Sequence, residues 1–352
     1  MRKTLICTFT AAAVVAYLVL APVPIQLHSW APPQLVDEAP GNTELERIQK
    51  LDEGLGIGPE GVSLDARGRL YAGYEDGRVM RFAPDGSASE LIANTGGRPW
   101  GTYAYPDGER VLVADAKKGL LLLHEGRVET LATQADGVPF KQTDDVVLAA
   151  NGSVYFSDAS SRYGVDQVID SVLAHGNDGR LMRYDPNTAK VEVLMKGLHV
   201  ANGVTLGPDD EYLLVAETLR YRVWRYWLKG ERAGTAEVLI ENLPGFPDNI
   251  SYNGRDGFWL ALFAPRDPGL DAVLPYPLIR KLLYRLPESL RPRATGFARV
   301  LKIDEQGKIL MDLQDPGEHA YQPITSVREA DGWLYFGSIA YPALGRMQVP
   351  RP

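Results

Sequence analysis

This sequence of 352 residues has one cysteine, five histidines and no excess of basic charge. Cys7 alone can form neither an intrachain disulfide nor a thiolate cage for a metal. Lys and Arg number 37 against 45 Asp and Glu, a net charge of −8, which excludes nucleic acid as the main partner. A His/Cys metal cluster is equally unexpected. No Gly-x-Ser-x-Gly elbow, His-Glu-x-x-His pair or Walker loop occurs, so the familiar hydrolase, zinc-protease and nucleotide-binding signatures are missing. Long stretches with helical periodicity are scarce. What is present is an ordinary globular balance, 45% hydrophobic and 23% charged. A chain of this length can bury a core without disulfide or zinc staples.

Only one long hydrophobic run exists. Residues 5–21 follow Arg2 and Lys3 and are broken only by Thr8 and Thr10, so residues 1–21 read as a signal anchor or signal peptide. Ala21-Pro22-Val23-Pro24 is a poor cleavage site. We therefore expect an uncleaved membrane anchor with the body on the non-cytoplasmic side, periplasmic or lumenal/extracellular, and a secreted protein if the segment is cleaved. Residues 22–44 form a Pro-rich linker, expected to be extended and exposed.

A short unit then recurs: a Gly-containing polar turn followed by alternating apolar residues, often ending near Asp or Ser. It reads Asp65-Ala-Arg-Gly68-Arg-Leu-Tyr71, then Pro106-Asp-Gly108 into Val111-Leu-Val-Ala-Asp115, then Ala150-Asn-Gly152-Ser-Val-Tyr-Phe-Ser-Asp158. Further copies surround Asp210, Gly257 and Gly332. Spacings of about 40 to 75 residues match the per-blade period of a β-propeller with insertions. Second hairpin signals, Glu75-Asp76-Gly77-Arg78 and Asn177-Asp178-Gly179-Arg180, lie between copies. The reading is all-β: a six-bladed β-propeller over 45–352. Residues 265–292 break the rhythm, because Leu278-Ile-Arg-Lys-Leu-Leu-Tyr-Arg-Leu286 has helical spacing with Arg280, Lys281 and Arg285 on its polar side. This insertion is either a lid over one propeller face or a basic helix lying on a membrane.

Oxygen-bearing residues recur where polar turns enter apolar strands: Glu60, Asp144 with Asp145, Asn202, and Asp248 with Asn249. The inner strands of a propeller converge on its axis, where such oxygens are the hard ligands that Ca²⁺ or Mg²⁺ prefers. The same residues before strands also serve as turn residues that bond their own backbone.

The run Ser153-Val-Tyr-Phe-Ser-Asp158-Ala-Ser-Ser161-Arg-Tyr163, with Ala201-Asn-Gly-Val204, Leu214-Val-Ala-Glu-Thr218 and Glu241-Asn-Leu-Pro-Gly-Phe-Pro-Asp-Asn-Ile250, resembles the strictosidine synthase-like family. That resemblance covers residues 45–348 and implies a six-bladed propeller. More distantly, Glu60, Asp144, Asn202 and Asp248 resemble the calcium-ligand pattern of paraoxonases and gluconolactonase-like proteins, and Asn249 matches a further paraoxonase ligand. Two departures matter. Strictosidine synthase carries a catalytic glutamate two residues after the His of a Gly-Glu-His turn; here Gly317-Glu318-His319-Ala320 leads to Tyr321. A phenol is a poor base near neutral pH, which disfavours amine–aldehyde condensation. Paraoxonases place a histidine in a Pro-His-Gly turn, and this chain has Pro99-Trp100-Gly101.

The resemblance thus implies a Ca²⁺-dependent hydrolase of esters or lactones, with Glu60, Asp144, Asn202, Asp248 and Asn249 around the metal. Asp248 or Asp144 would accept the proton of the attacking water. Trp100, Tyr163, His319 and Tyr321 are expected to line a substrate pocket. A non-catalytic, metal-stabilised scaffold at a membrane is the alternative.

Overall fold

Each repeated unit becomes the first hairpin of a four-stranded antiparallel sheet, and six such sheets form the ring of a six-bladed β-propeller. The computed structural model describes residues 17–18, 20–36, 39–287 and 296–350. The first strands of the blades are Val62–Leu64, Pro99–Ala104, Thr143–Leu148, Ala201–Leu206, Gly245–Tyr252 and Ser326–Ala330. They contact one another in sequence around the axis. Middle strands are sandwiched between neighbouring blades, so Tyr212–Glu217 and Ala298–Ile303 are buried at every position instead of alternating. Large side chains such as Trp259, Phe258 and Phe336 fill the spaces between blades. Burying a side chain of that size stabilises by about 1.5–3 kcal/mol.

The ring closes on a strand from its own beginning. Gln49–Leu51 pairs antiparallel with Leu344–Gln348 as the outer strand of the last blade, Gln49 opposite Arg346.

The expected turn at Glu75-Asp76-Gly77 joins strands Leu70–Gly73 and Arg78–Phe82, and Gly77 takes φ +89°. The turn expected at Asn177-Asp178-Gly179 is instead the end of a long loop that holds helix α1, Val168–Ala174. Asp178 is committed to closing that loop: its carboxylate accepts from Ser160 Oγ at 2.6 Å and its carbonyl from Ser161. The equivalent connection of the fifth blade carries α2, Pro268–Val273, and α3, Pro277–Tyr284. Both helices begin on proline, and Asp267 caps α2 by accepting from the Leu270 amide. Antiparallel alternation puts both connections at the end of the ring where the first strands start.

Two expectations need correction. Residues 22–34 are a docked strap rather than a free linker. Ile25 is buried against Tyr163 and Leu173, the His28 amide donates to Ala174, the Trp30 amide donates to Leu274, and Arg266 donates to the Pro33 carbonyl. Arg280 does not lie on an exposed polar side of α3. It is fully buried and donates to the carbonyls of Leu173, Ala174 and His28. The chain ends of α1 and the strap supply the acceptors that a buried guanidinium requires. The expected anchor lies almost wholly outside the described residues. Among the described residues no helix is long and apolar enough to cross a membrane.

Candidate active site

The strand pleat would send successive side chains to opposite faces, yet at the site pairs of consecutive polar residues are buried. The pairing registers explain how. Each relevant first strand has an irregularity at its entrance: between Pro99 and Gly101, Thr143 and Val146, Ala201 and Val204, and Pro247 and Ile250. A bulge inserts a residue and re-aims its side chain. Trp100, Asp144, Asn202 and Asp248 each sit on one of these bulges, and Glu60 lies just before the shortest first strand.

Glycine lets the bulged strands meet. A Cβ on Gly101 would fall 2.6 Å from the Asp144 carbonyl, and one on Gly203 would fall 2.4 Å from Asn249 Cα. The pairs Glu60-Gly61, Trp100-Gly101 and Asn202-Gly203 therefore repeat a requirement for close approach between blades. Trp100, expected in the pocket, does line it. The rim is laced by Gly61 N–H to the Trp100 carbonyl, Asn249 N–H to Thr325, and Ser326 Oγ to the Glu60 carbonyl at 2.7 Å.

Glu60, Trp100, Asp144, Asn202, Asp248 and Asn249 are all at least nine-tenths buried. Glu60, Asp144, Asn202, Asp248 and Trp100 form the polar end of a cavity of about 370 Å³. Its other walls are mostly apolar and come from Val200, Leu219, Phe246 and Phe263 and from the three helices. The insertion thus covers one side of the cavity, together with the unforeseen α1. Gln142 also reaches the cavity, its amide held by the carbonyls of Tyr163 and Gly164.

Hydrogen-bond accounting sets this cluster apart. Asn249 Nδ2 donates to Glu60 Oε1 at 3.2 Å and to Asp248 Oδ1 at 3.4 Å. Glu60 Oε2, Asp144 Oδ1, Asn202 Oδ1 and Asn249 Oδ1 are buried with no donor among the described residues. Leaving one such group unpaired costs about 1–3 kcal/mol, and more when it is charged. Burial pushes Glu60 up to about 8 despite Arg98 nearby. Burial and then the neighbouring carboxylates, Glu60 first, push Asp144 and Asp248 well above the usual range. Among the described residues no three His, Cys, Asp or Glu side chains form a ready metal cage by themselves. Orphaned amide oxygens complete the set, and acceptor oxygens from carboxylates and amides together suit a hard divalent cation. Asp145 is different: its oxygens accept from the Val146 and Val204 amides, a structural role.

Three of the residues expected in the pocket do not line it. Tyr321 is buried between blades, donating to the carbonyls of Phe336 and Ala343. Tyr163 accepts from the Gln26 amide beneath the strap. His319 is exposed on a turn. Aromatic identity carries no direction, and each of these side chains finds its partners elsewhere. His199 is a satisfied structural histidine, its ring bonded to Glu217 and Arg220.

Family models for strictosidine synthase match residues 144–231, and for the strictosidine synthase-like N-terminal region residues 39–82. Strictosidine synthase-like protein 4 of Arabidopsis thaliana is 37% identical over 309 residues, covering 84% of this chain and 82% of that protein. This chain belongs to the strictosidine synthase-like family. Another relative is the human adipocyte plasma membrane-associated protein, 32% identical over 93% of this chain and 83% of its own. Among solved structures, a gluconolactonase of Xanthomonas campestris superposes with a TM-score of 0.62 at 16% identity, covering 94% of this chain and 99% of that one. A calcium-binding protein, regucalcin, from Agrobacterium tumefaciens gives 0.58 at 14% identity, over 85% and 92%. At these identities the likeness is one of fold. This member of the family keeps the propeller, and its Tyr321 is packed between blades with its hydroxyl on two carbonyls.

Proposed function

We propose that the protein is a Ca²⁺-dependent hydrolase of esters or lactones. One observation carries this reading: among the described residues, a ring of buried oxygens with few donors forms the floor of an otherwise mostly apolar cavity. Glu60, Asp144, Asn202, Asp248 and Asn249 would hold the ion. Calcium, when bound, supplies a Lewis acid that polarises a carbonyl and favours negative charge on its oxygen. The chain supplies the remainder. Asp248 or Asp144 accepts the proton of the attacking water. Trp100 offers an indole N–H that has no acceptor among the described residues and can orient a substrate oxygen. Phe246, Leu219 and the lid surround the apolar part of the substrate and exclude water.

Names of relatives support the same direction. Solved propellers of similar fold include a gluconolactonase and a calcium-binding protein. The name of the animal relatives supports association with a membrane; attachment through the N-terminal run, with the propeller on the non-cytoplasmic side, rests on the sequence of that run. Condensation chemistry of the strictosidine synthase kind is disfavoured. Tyr321 is locked to two carbonyls, and burial holds its phenol well above the usual range.

The test assays the full chain in mild detergent against aryl esters and lactones, with calcium and after chelation. Turnover that vanishes with chelator and returns with Ca²⁺ is expected. No turnover, with calcium still raising the melting temperature, would make the ion a tie between blades and the protein a scaffold.

A further inference from the structure

Helix α3 is inverted relative to an ordinary surface helix. Arg280, near its middle, is completely buried, whereas Leu278, Ile279 and Leu282 and the preceding Tyr276 are 61%, 41%, 39% and 57% exposed. A helix on a water-facing body turns its apolar stripe inward. An exposed apolar patch of this kind marks a surface that meets something else. The neighbouring helix extends it: Val168 and Ile169 of α1 are 42% and 48% exposed, and both also line the cavity. Patch and cavity mouth are therefore one continuous surface.

Where the N-terminal run joins the body identifies the occupant. Arg285, just past α3, stacks on Tyr17 and donates to the Ala21 carbonyl at 2.5 Å. Tyr17 and Leu20 are exposed beside it. The described end of the apolar run, Tyr17 and Ala21, thus meets the body beside the inverted helix, and the composition of the run suits a bilayer. Tyr17 and Tyr276 are of the type that settles at a membrane–water boundary.

We infer that this face rests on a lipid bilayer, with the cavity mouth opening into it, so that lipophilic esters or lactones enter from the membrane. The substrate class rests on the hydrolase reading; the docking does not. Solubility in the bilayer concentrates an apolar substrate at the mouth, and the lid helices form the passage. Buried Arg280 fixes α3 in the inverted orientation through the carbonyls of α1 and the strap.

The experiment uses the full chain in phosphatidylcholine vesicles. An environment-sensitive fluorophore is attached at Leu278→Cys, or at Glu109→Cys on an exposed turn at the opposite end, each in a Cys7→Ser background. Quenching by spin-labelled phosphatidylcholine should be at least about threefold stronger at position 278 than at 109. Equal, water-like emission at both sites would overturn the docking. A fluorophore shielded from water but not quenched by the lipid would also overturn it, in favour of a protein partner. Neither residue of the double variant Leu278→Ser/Ile279→Ser lines the cavity. The variant should hydrolyse a water-soluble aryl ester within about twofold of wild type and a vesicle-dissolved long-chain ester at least about fivefold more slowly. Equal losses on both substrates would overturn the entry route. If the wild type hydrolyses neither, the hydrolase reading fails and the fluorophore alone decides the docking.

Discussion

Two rings of buried carboxylates lie at the same end of the propeller, one strand apart, and they have opposite fates. The second strands end in Asp115, Asp158 and Glu217, and each reaches back to the turn that precedes the first strand of its own blade. Asp115 accepts from the Arg98, Lys117 and Lys118 amides and from Thr95 Oγ1. Asp158 accepts from the Lys141 and Gln142 amides and from Arg180. Glu217 accepts from the amide and ring of His199, from Arg222 and from the indole of Trp224. The inner ring, Glu60, Asp144 and Asp248, is as buried but has almost no donors. The electrostatics follow. His199, Arg222 and Trp224 outweigh the penalty of burial and hold Glu217 at about 2. Asp158, with one arginine, sits at about 6, and Glu60 at about 8. Residue type and burial do not separate the rings; the supply of donors does. One ring is satisfied within the fold; the other is left short of donors, as the proposed ion site requires.

The largest expected effect comes from breaking the outer ring. Glu217→Ala strands a guanidinium, an imidazole and an indole, and should destabilise by about 3–5 kcal/mol. Urea unfolding measures it, and a loss below about 1 kcal/mol would erase the distinction between the rings. Breaking the inner ring should do the reverse. Asp248→Asn should slow ester turnover at least about a hundredfold while leaving the melting temperature in chelator unchanged or raised, because like charges are relieved. A fall in that temperature comparable to the Glu217 variant would move Asp248 into the structural ring.

A smaller effect tests the strap. His175 is stacked on Trp30, and burial, then His199 and Arg220, push its imidazole down to about 2. It is neutral in the folded state, whereas the unfolded chain takes up a proton below about 6.5. Its contribution is therefore intact above that pH and falls by about 1.4 kcal/mol per unit below it. His175→Asn, which tolerates the left-handed backbone here (φ +50°), should flatten the loss of urea stability between neutral and mildly acidic pH. Parallel slopes for both proteins would contradict this account. The smallest effect is Trp100→Phe, which keeps a ring but removes the unpaired N–H. A drop in turnover of about fivefold, near 1 kcal/mol, with unchanged melting temperature is expected from steady-state kinetics.

Much of this was legible in the sequence. Each blade announces itself by a polar turn entering an apolar strand, because the first hairpin of every blade needs the same two things. The oxygen set was visible for a related reason: polar residues at strand entrances are few. What composition could not reveal was direction. Bulges between Thr143 and Val146 or Ala201 and Val204 leave no mark in a residue count, and only they turn Asp144 and Asn202 to the axis. Tyr163 and Tyr321 are aromatic near the right motifs, yet they pack under the strap and between blades. Helix α1 is too short, at 7 residues, for its periodicity to stand out. The burial of Arg280 depends on carbonyls contributed by residues 28, 173 and 174, far away along the chain.

The closing strand has a consequence for the birth of the molecule. Arg346 bonds to Gln49 across a separation of 297 residues, so the edge translated early must wait for the last blade to be translated. Until then five blades form an arc with two unsatisfied edges, an open template for pairing with other nascent chains. Closure is gated by synthesis of Leu344–Gln348, and such long-range closure is slow. A stop just before Leu344 would keep the first hairpin of every blade and yet return the chain to that open arc.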